Sequence, residues 1–208
     1  VSYKTNADGS ESVYELNISY FDALSDPNTD EPLTLQVQRF MASQAIMLTL
    51  QGLPAIYVHS LFGSRNDYEG VARTGRYRSI NREKFRREAL EAALSDPNSR
   101  RAMVFNAYRH MIQVRAQHPA FHPNGPQQVL ALDSAVFAVV RTSPDGSDKI
   151  LCLTHVSDVA RTLCVGEPFR QAQAVRDVLT GETFRVQDGT LTLKLASYQV
   201  LWLKEVNA

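Results

Sequence analysis

Cysteine is scarce in this chain. Cys152 and Cys164 are the only two in 208 residues, too few for a disulfide framework. They could lie on neighbouring strands. Two reduced core thiols in a cytosolic protein is the simpler expectation. Long apolar runs are also lacking: none approaches the roughly 20 residues needed to span a bilayer. The polar start, VSYKTNADGSES, is not a secretion signal. Neither sign of charge dominates, because 22 Lys+Arg balance 22 Asp+Glu. That balance gives no support for a general nucleic-acid or anionic-membrane surface, whereas a neutral, hydroxyl-rich ligand needs no long-range field. No Cys/His/Asp cluster has metal-ligand spacing. There is no Gly-rich phosphate loop, no nucleophile elbow and no internal repeat. What remains is an ordinary globular composition, 44% hydrophobic, long enough for one large or two small domains.

Helical periodicity dominates the first 120 residues or so. A largely buried helix is expected from Leu33 to about Leu50 and is stopped by Gly52-Leu53-Pro54. The β-branched and aromatic run Leu53–Val58 then predicts a buried strand. An amphipathic helix follows over Arg82–Leu94 and closes at Ser95-Asp96-Pro97-Asn98. Ser99 reads as the N-cap of a third helix, which runs to about Gln117 and is stopped by Pro119. Helix, strand, long loop, then helices is the rhythm of a closing (β/α) unit. One strand cannot make a barrel, and its edges need partners.

From Gln127 the pattern changes to short alternating runs with turn signals at roughly ten-residue spacing. The runs are Val129–Leu132, Val136–Arg141, Lys149–Thr154, Arg161–Val165, Ala174–Val178, Thr183–Val186, Leu191–Leu195 and Tyr198–Leu203. Pro144-Asp145-Gly146, Thr180-Gly181 and Asp188-Gly189 supply hairpin turns. This is an antiparallel β-sandwich. Trp202 alternates with Leu201 and Leu203 and is expected to close its core.

Between Val58 and Arg82 the chain gathers polar side chains among glycines: Arg65, Asn66, Asp67, Glu69, Arg73, Arg76, Arg78 and Asn81. A long polar loop at the end of a buried strand is where α/β barrels keep ligand contacts. The interleaved Leu61, Phe62, Tyr68, Val71 and Tyr77 argue against disorder. Asp67, with Arg65 and Asn66, could hydrogen-bond vicinal sugar hydroxyls or form a solvated Asx-turn. His59 could line a site or serve as a hydrogen-bonded structural residue. Arg73, Arg76, Arg78 and Arg82 suit a carboxylate or phosphate, or a solvated surface. On the third helix, Val104, Tyr108, Met111, Ile112 and Arg115 share one sector. Arg115 projects from an apolar stripe and must find acceptors, in a ligand or in the protein itself.

The strings YELNISYFDAL (14–24), RFMASQAIMLTLQGLPAIYVHSLFGSRND (39–67), TGRYRSINRE (74–83), VRAQHPAFHPNG (114–125) and DVLTGE (177–182) are similar to the sucrose phosphorylase branch of the α-amylase (glycoside hydrolase 13) family. Within it the resemblance is nearest to the glucosylglycerate phosphorylases. It implies the C-terminal end of a (β/α)8 TIM barrel over residues 1–124, incomplete, followed by a C-terminal β-sandwich domain over 125–208. It implies a retaining enzyme that passes glucose from an α-glucoside through a β-glucosyl-enzyme to inorganic phosphate. No organic cofactor or metal is implied. Retaining transfer needs a nucleophilic carboxylate and a carboxylic acid about 5–5.5 Å apart, and the family adds a third, stabilising carboxylate. Nothing here resembles those motifs, so no catalytic residue is assigned. The chain is expected to begin just downstream of the missing barrel half that carries them. The resemblance places Arg115 against the glucosyl unit, and the loop of Arg65, Asn66 and Asp67 beside the acceptor. Sugar and phosphate are the expected partners, with neither nucleic acid nor membrane, in the cytoplasm. The alternatives are a non-catalytic carbohydrate-binding or scaffold module, and part of an amylase-like hydrolase.

Overall fold

The structure, a computed structural model, describes residues 1–206. In chain order it contains β1 (Ser2–Thr5), β2 (Glu11–Glu15), α1 (Tyr20–Leu24), α2 (Leu33–Thr49), α3 (Val58–Leu61), α4 (Tyr68–Thr74), α5 (Arg87–Ser95) and α6 (Arg100–Gln117). Eight strands follow: β3 (Gln127–Asp133), β4 (Val136–Thr142), β5 (Lys149–His155), β6 (Arg161–Val165), β7 (Ala174–Asp177), β8 (Thr183–Arg185), β9 (Leu191–Leu195) and β10 (Val200–Glu205). Single 3-10 turns cover Tyr77–Asn81 and Pro119–Phe121. The chain divides into two compact units, residues 1–31 with 56–106 and residues 32–55 with 107–208. α6 runs from the first into the second. α2 packs on β4 and β5 and so falls in the second unit with the strands.

In the second unit six strands form one antiparallel sheet in the order β3-β4-β5-β10-β7-β8, and β6 pairs with β9 in another. Strict alternation drives the layering. On β9, Leu191, Leu193 and Leu195 are buried, while Thr192 and Lys194 are exposed. These leucines join Leu163 and Val165 of β6 and Ala138, Val140, Leu151, Leu153 and Leu203 of the large sheet in one core. The expected sandwich is therefore present. On the other face of the large sheet Trp202 is fully buried, its ring 4.7 Å from that of Phe121. Asp177 closes the DVLTGE turn. Its carboxylate accepts from the amides of Leu179 and Thr180, the Thr180 hydroxyl and the Trp202 amide.

α2 buries Phe40, Ala45 and Leu48, and its Gln44 accepts from the hydroxyl of Tyr108 on α6. The Ser99 hydroxyl accepts from Ala102 N at 3.0 Å, which makes it the cap expected for α6. Two details of α6 differ from the periodicity. Val104, Tyr108 and Met111 are buried as expected, but Ile112 lies at the exposed margin and Val114 takes its place inside.

Three other expectations are corrected. Leu53–Val58 forms no strand: Leu53 is 82% exposed and Val58 begins α3. A strand needs a neighbour to take its main-chain hydrogen bonds, and none pairs with this segment among the described residues. The second helix starts at Arg87 rather than Arg82. Arg82 instead donates its amide to Ser79 at the close of the 3-10 turn, and Glu83 is drawn into an ion pair with Arg101. Cys164 is exposed, unlike Cys152, because the inward positions of β6 are Leu163 and Val165. The two thiols lie on strands of different sheets.

Candidate functional site

The polar loop does not hang free. It folds into α4 and a 3-10 turn against α1. Ser19 caps α1, its hydroxyl accepting from Asp22 N at 3.3 Å. Buried Asp22 then gathers the loop, with one oxygen accepting from Arg65 Nη1 at 2.6 Å and the other from the Asn66 amide at 2.7 Å. Asn66 returns the link, since its side-chain oxygen accepts from Ser19 N at 2.7 Å. The knot of Ser19, Asp22, Arg65 and Asn66 was missed in the sequence. Ser19-Tyr20-Phe21-Asp22 carries the S-x-x-[DE] spacing of a helix start, the signal that points to it. Asp67 caps α4, its Oδ1 accepting from Gly70 N at 2.8 Å. Arg65, Asn66 and Asp67 are thus brought together, the first two tied to Ser19 and Asp22 of the α1 start and the third to the start of α4.

Behind the loop is an aromatic and cationic layer. Phe21 lies under the guanidinium groups of Arg65 and Arg100, at 5.1 and 5.6 Å from the ring centre. Burial first, then the neighbouring Arg65 and Arg101, pulls the Arg100 pKa down to about 10. Arg100 Nε donates to Gly63 O at 2.7 Å. Gly63 has a left-handed φ of 54°, and a methyl group there would meet Val104 at 2.8 Å. The loop can approach α6 only with glycine at this position.

His59 is 8% exposed, between the rings of Tyr57 (5.1 Å) and Phe85 (4.8 Å). Its Nδ1 lies 3.1 Å from Ser64 Oγ. Burial lowers its pKa, outweighing the opposing pull of Glu83. It lines a cavity of about 240 Å³ with Ser19, Phe21, Tyr57, Ser64 and Asn81. A wider, open cleft of about 850 Å³ is lined by Arg76, Arg78, Arg82 and Lys84. Of these, Arg78 pairs with Glu15 at 2.8 Å. Arg73 lies on the exposed side of α4.

Arg115 belongs to the other unit. Nε donates to Leu48 O at 2.9 Å, and Nη2 donates to Gly52 O and Phe121 O at 3.3 and 3.1 Å. The acceptors that its apolar stripe demands are main-chain carbonyls, and among the described residues Nη1 makes no hydrogen bond. Among the described residues no group of three or more His, Cys, Asp and Glu could hold a metal ion, and no helix is long and apolar enough to cross a membrane.

No protein-family model matches the chain. Individual proteins do. It is 42% identical to the glucosylglycerate phosphorylase of Spirochaeta thermophila, covering 98% of this chain and 35% of that protein. It is 33% identical to the glucosylglycerate phosphorylase of Escherichia coli K12, covering 98% and 34%. Over 59% of the chain it is 30% identical to the sucrose phosphorylase of Agrobacterium vitis. The chain thus spans about a third of the length of the curated glucosylglycerate phosphorylases it matches. Among solved structures, AmyP E221Q in complex with maltotriose covers 89% of the chain and is itself covered over 37%, with a TM-score of 0.70 at 14% identity. MutB E254Q with sucrose covers 84% of the chain and is covered over 39%, with a TM-score of 0.53 at 15% identity. These structural likenesses show an α-amylase-like fold.

Proposed function

We propose that this chain, homologous over nearly its whole length to about a third of the glucosylglycerate phosphorylases, is the sugar-binding and C-terminal portion of a retaining α-glucosyl phosphorylase. The single observation that carries this is 33–42% identity across 98% of the chain to three such enzymes, with sucrose phosphorylases among its further relatives. In this reading residues 1–124 belong to a barrel whose other strands would cover Leu53–Val58, and residues 125–208 form the sandwich domain. The intact enzyme transfers glucose from an α-glucoside to inorganic phosphate. This chain supplies binding groups, and the carboxylates of double displacement lie outside it. Alone, it has no turnover. The loop of Arg65, Asn66 and Asp67 is held too firmly by Ser19, Asp22 and Gly70 to reach far, so its role is to shape the acceptor side. Arg115 keeps Nη1 for a glucosyl hydroxyl while its other nitrogens hold carbonyls.

The test is release of glucose 1-phosphate from glucosylglycerate and from sucrose, by the 208-residue chain and by the protein joined to its upstream coding sequence. The longer protein is expected to turn over and the chain alone to match buffer. Free glucose without glucose 1-phosphate would make it a hydrolase. No turnover by the longer protein would leave a binding module.

A further inference from the structure

The loop hides a hydrogen-bonded relay that ends in the small cavity. Glu83 holds Arg101 with both carboxylate oxygens, at 2.8 and 2.7 Å from Nη2. Arg101 Nη1 donates to Ser64 Oγ at 3.3 Å, and Ser64 Oγ lies 3.1 Å from His59 Nδ1. A guanidinium can only donate, so Ser64 accepts on that side. Ser64 is buried, and a buried hydroxyl proton without an acceptor is unfavourable because it forfeits its hydrogen bond to water with nothing in return. Within the protein, the acceptor that its hydrogen bonds offer is His59 Nδ1. That fixes the ring: Nδ1 accepts, and the proton of the neutral imidazole sits on Nε2.

We propose that His59, held in its Nε2–H tautomer by Glu83, Arg101 and Ser64, donates a hydrogen bond to an uncharged oxygen of a small hydroxylated ligand in this cavity. The lining carries hydroxyls and an amide (Ser19, Ser64, Tyr57 and Asn81), with Ile18, Phe21 and Ala23 as apolar wall. Among the described residues no Asp, Glu, Lys or Arg lines it, which favours a polyol or sugar hydroxyl over phosphate. At about 240 Å³ it is smaller than the ~300–1,000 Å³ typical of drug-sized ligand sites, and it suits one small unit. Burial keeps the ring neutral against the pull of Glu83 and Asp67, and Arg101 and Lys84 act in the same direction as burial. His59 is then a specificity residue, and Ser64, Arg101 and Glu83 are positioning residues. This deepens the phosphorylase reading and rests on it for the identity of the ligand.

The experiment reads the ring nitrogens of His59 by ¹⁵N NMR in the 208-residue chain at about pH 7, so it needs no turnover. It is repeated with glycerol, D-glucose or inorganic phosphate added. The expected result is a neutral Nε2–H ring whose Nε2 resonance shifts saturably with glycerol or glucose and not with phosphate. Ser64→Ala should release the ring to a mixture of tautomers. His59→Gln, which keeps a donor near the Nε2 position, should retain polyol binding. His59→Phe, which keeps the packing with Tyr57 and Phe85, should weaken it about 10-fold. A proton on Nδ1, an imidazolium at neutral pH, a ring unmoved by both polyols, or Ser64→Ala with wild-type shifts would each overturn the proposal. Failure of glucose 1-phosphate release in the longer protein would leave the tautomer and polyol results standing, so the two readings fail separately.

Discussion

Gly70 donates its amide to Asp67 at 2.8 Å, and a methyl group at Gly70 would lie 2.1 Å from the other oxygen of the same carboxylate. The cap and the absent side chain are one device. Replacing a helical glycine by alanine ordinarily gains about 0.5–1 kcal/mol. Here Gly70→Ala should instead destabilise α4 by about 1 kcal/mol, matching the loss of a cap in Asp67→Ala. Denaturant unfolding of both variants, with amide exchange on α4, checks the sign. A more stable Gly70→Ala would show that the carboxylate moves aside without cost.

The C-terminal carbonyls of α2 are held by two arginines from outside the helix. Arg141, fully buried, donates to Thr49 O, Leu50 O, His122 O and Gly125 O, while Arg115 takes Leu48 O, Gly52 O and Phe121 O. Each guanidinium completes acceptors that a helix end leaves unpaired and meets the negative end of its dipole. Arg141→Met should cost about 3 kcal/mol by orphaning buried carbonyls. Arg115→Lys keeps the charge but loses the planar fork, at about 1–2 kcal/mol. Thermal unfolding of the two variants should rank Arg141→Met as the worse. Equal midpoints to wild type would mean that water replaces the clamps.

The sandwich was readable because burial on a strand follows period two. Arg161–Val165 and Leu191–Leu195 are placed to the residue, and the other runs to within a few. Partner-dependent features were less legible. Leu53–Val58 has strand chemistry and, among the described residues, no neighbouring strand. The β1–β2 hairpin has an Asp8-Gly9 turn but exposes Tyr3, Val13 and Tyr14, so no alternating buried face announces it. For the site, the sequence found the side chains and not their bonds. Helical spacing showed that Arg115 points inward and needs acceptors, but not which ones. Ser64, Arg101 and Glu83 follow no common spacing with His59, and only folding lines them up.

Asp148 offers a pH test. Burial raises its pKa, but the Lys204 ammonium at 2.6 Å, the Ala120 amide and His118 outweigh that and leave it lowered. A carboxylate with a depressed folded pKa contributes stability that is present above its unfolded value, about 3.9, and is lost as pH falls through the folded value. The stability difference between wild type and Asp148→Asn should therefore be at its full size above about pH 4 and shrink as pH falls below it, through the folded value. Curves that stay parallel from strongly acid to neutral pH would rule this out.

The thiols should differ sharply in reactivity. Cys164 is exposed, and Cys152 is buried in β5 with its pKa pushed up by burial. Since thiolate is the reacting form, one equivalent of a thiol reagent should react with the native chain and two after denaturation. Modification of both at equal rates in native buffer would mean that the sandwich opens readily.

β10 comes last among the strands, yet it sits in the middle of the large sheet, hydrogen-bonded to β5 on one side and β7 on the other. A chain emerging from the ribosome therefore exposes two inner strand edges until Val200–Glu205 arrives. β3-β4-β5 and β7-β8 wait as separate half-sheets, each with an open edge able to pair with another chain. The sheet is keyed like an arch, and its keystone is delivered after every other stone.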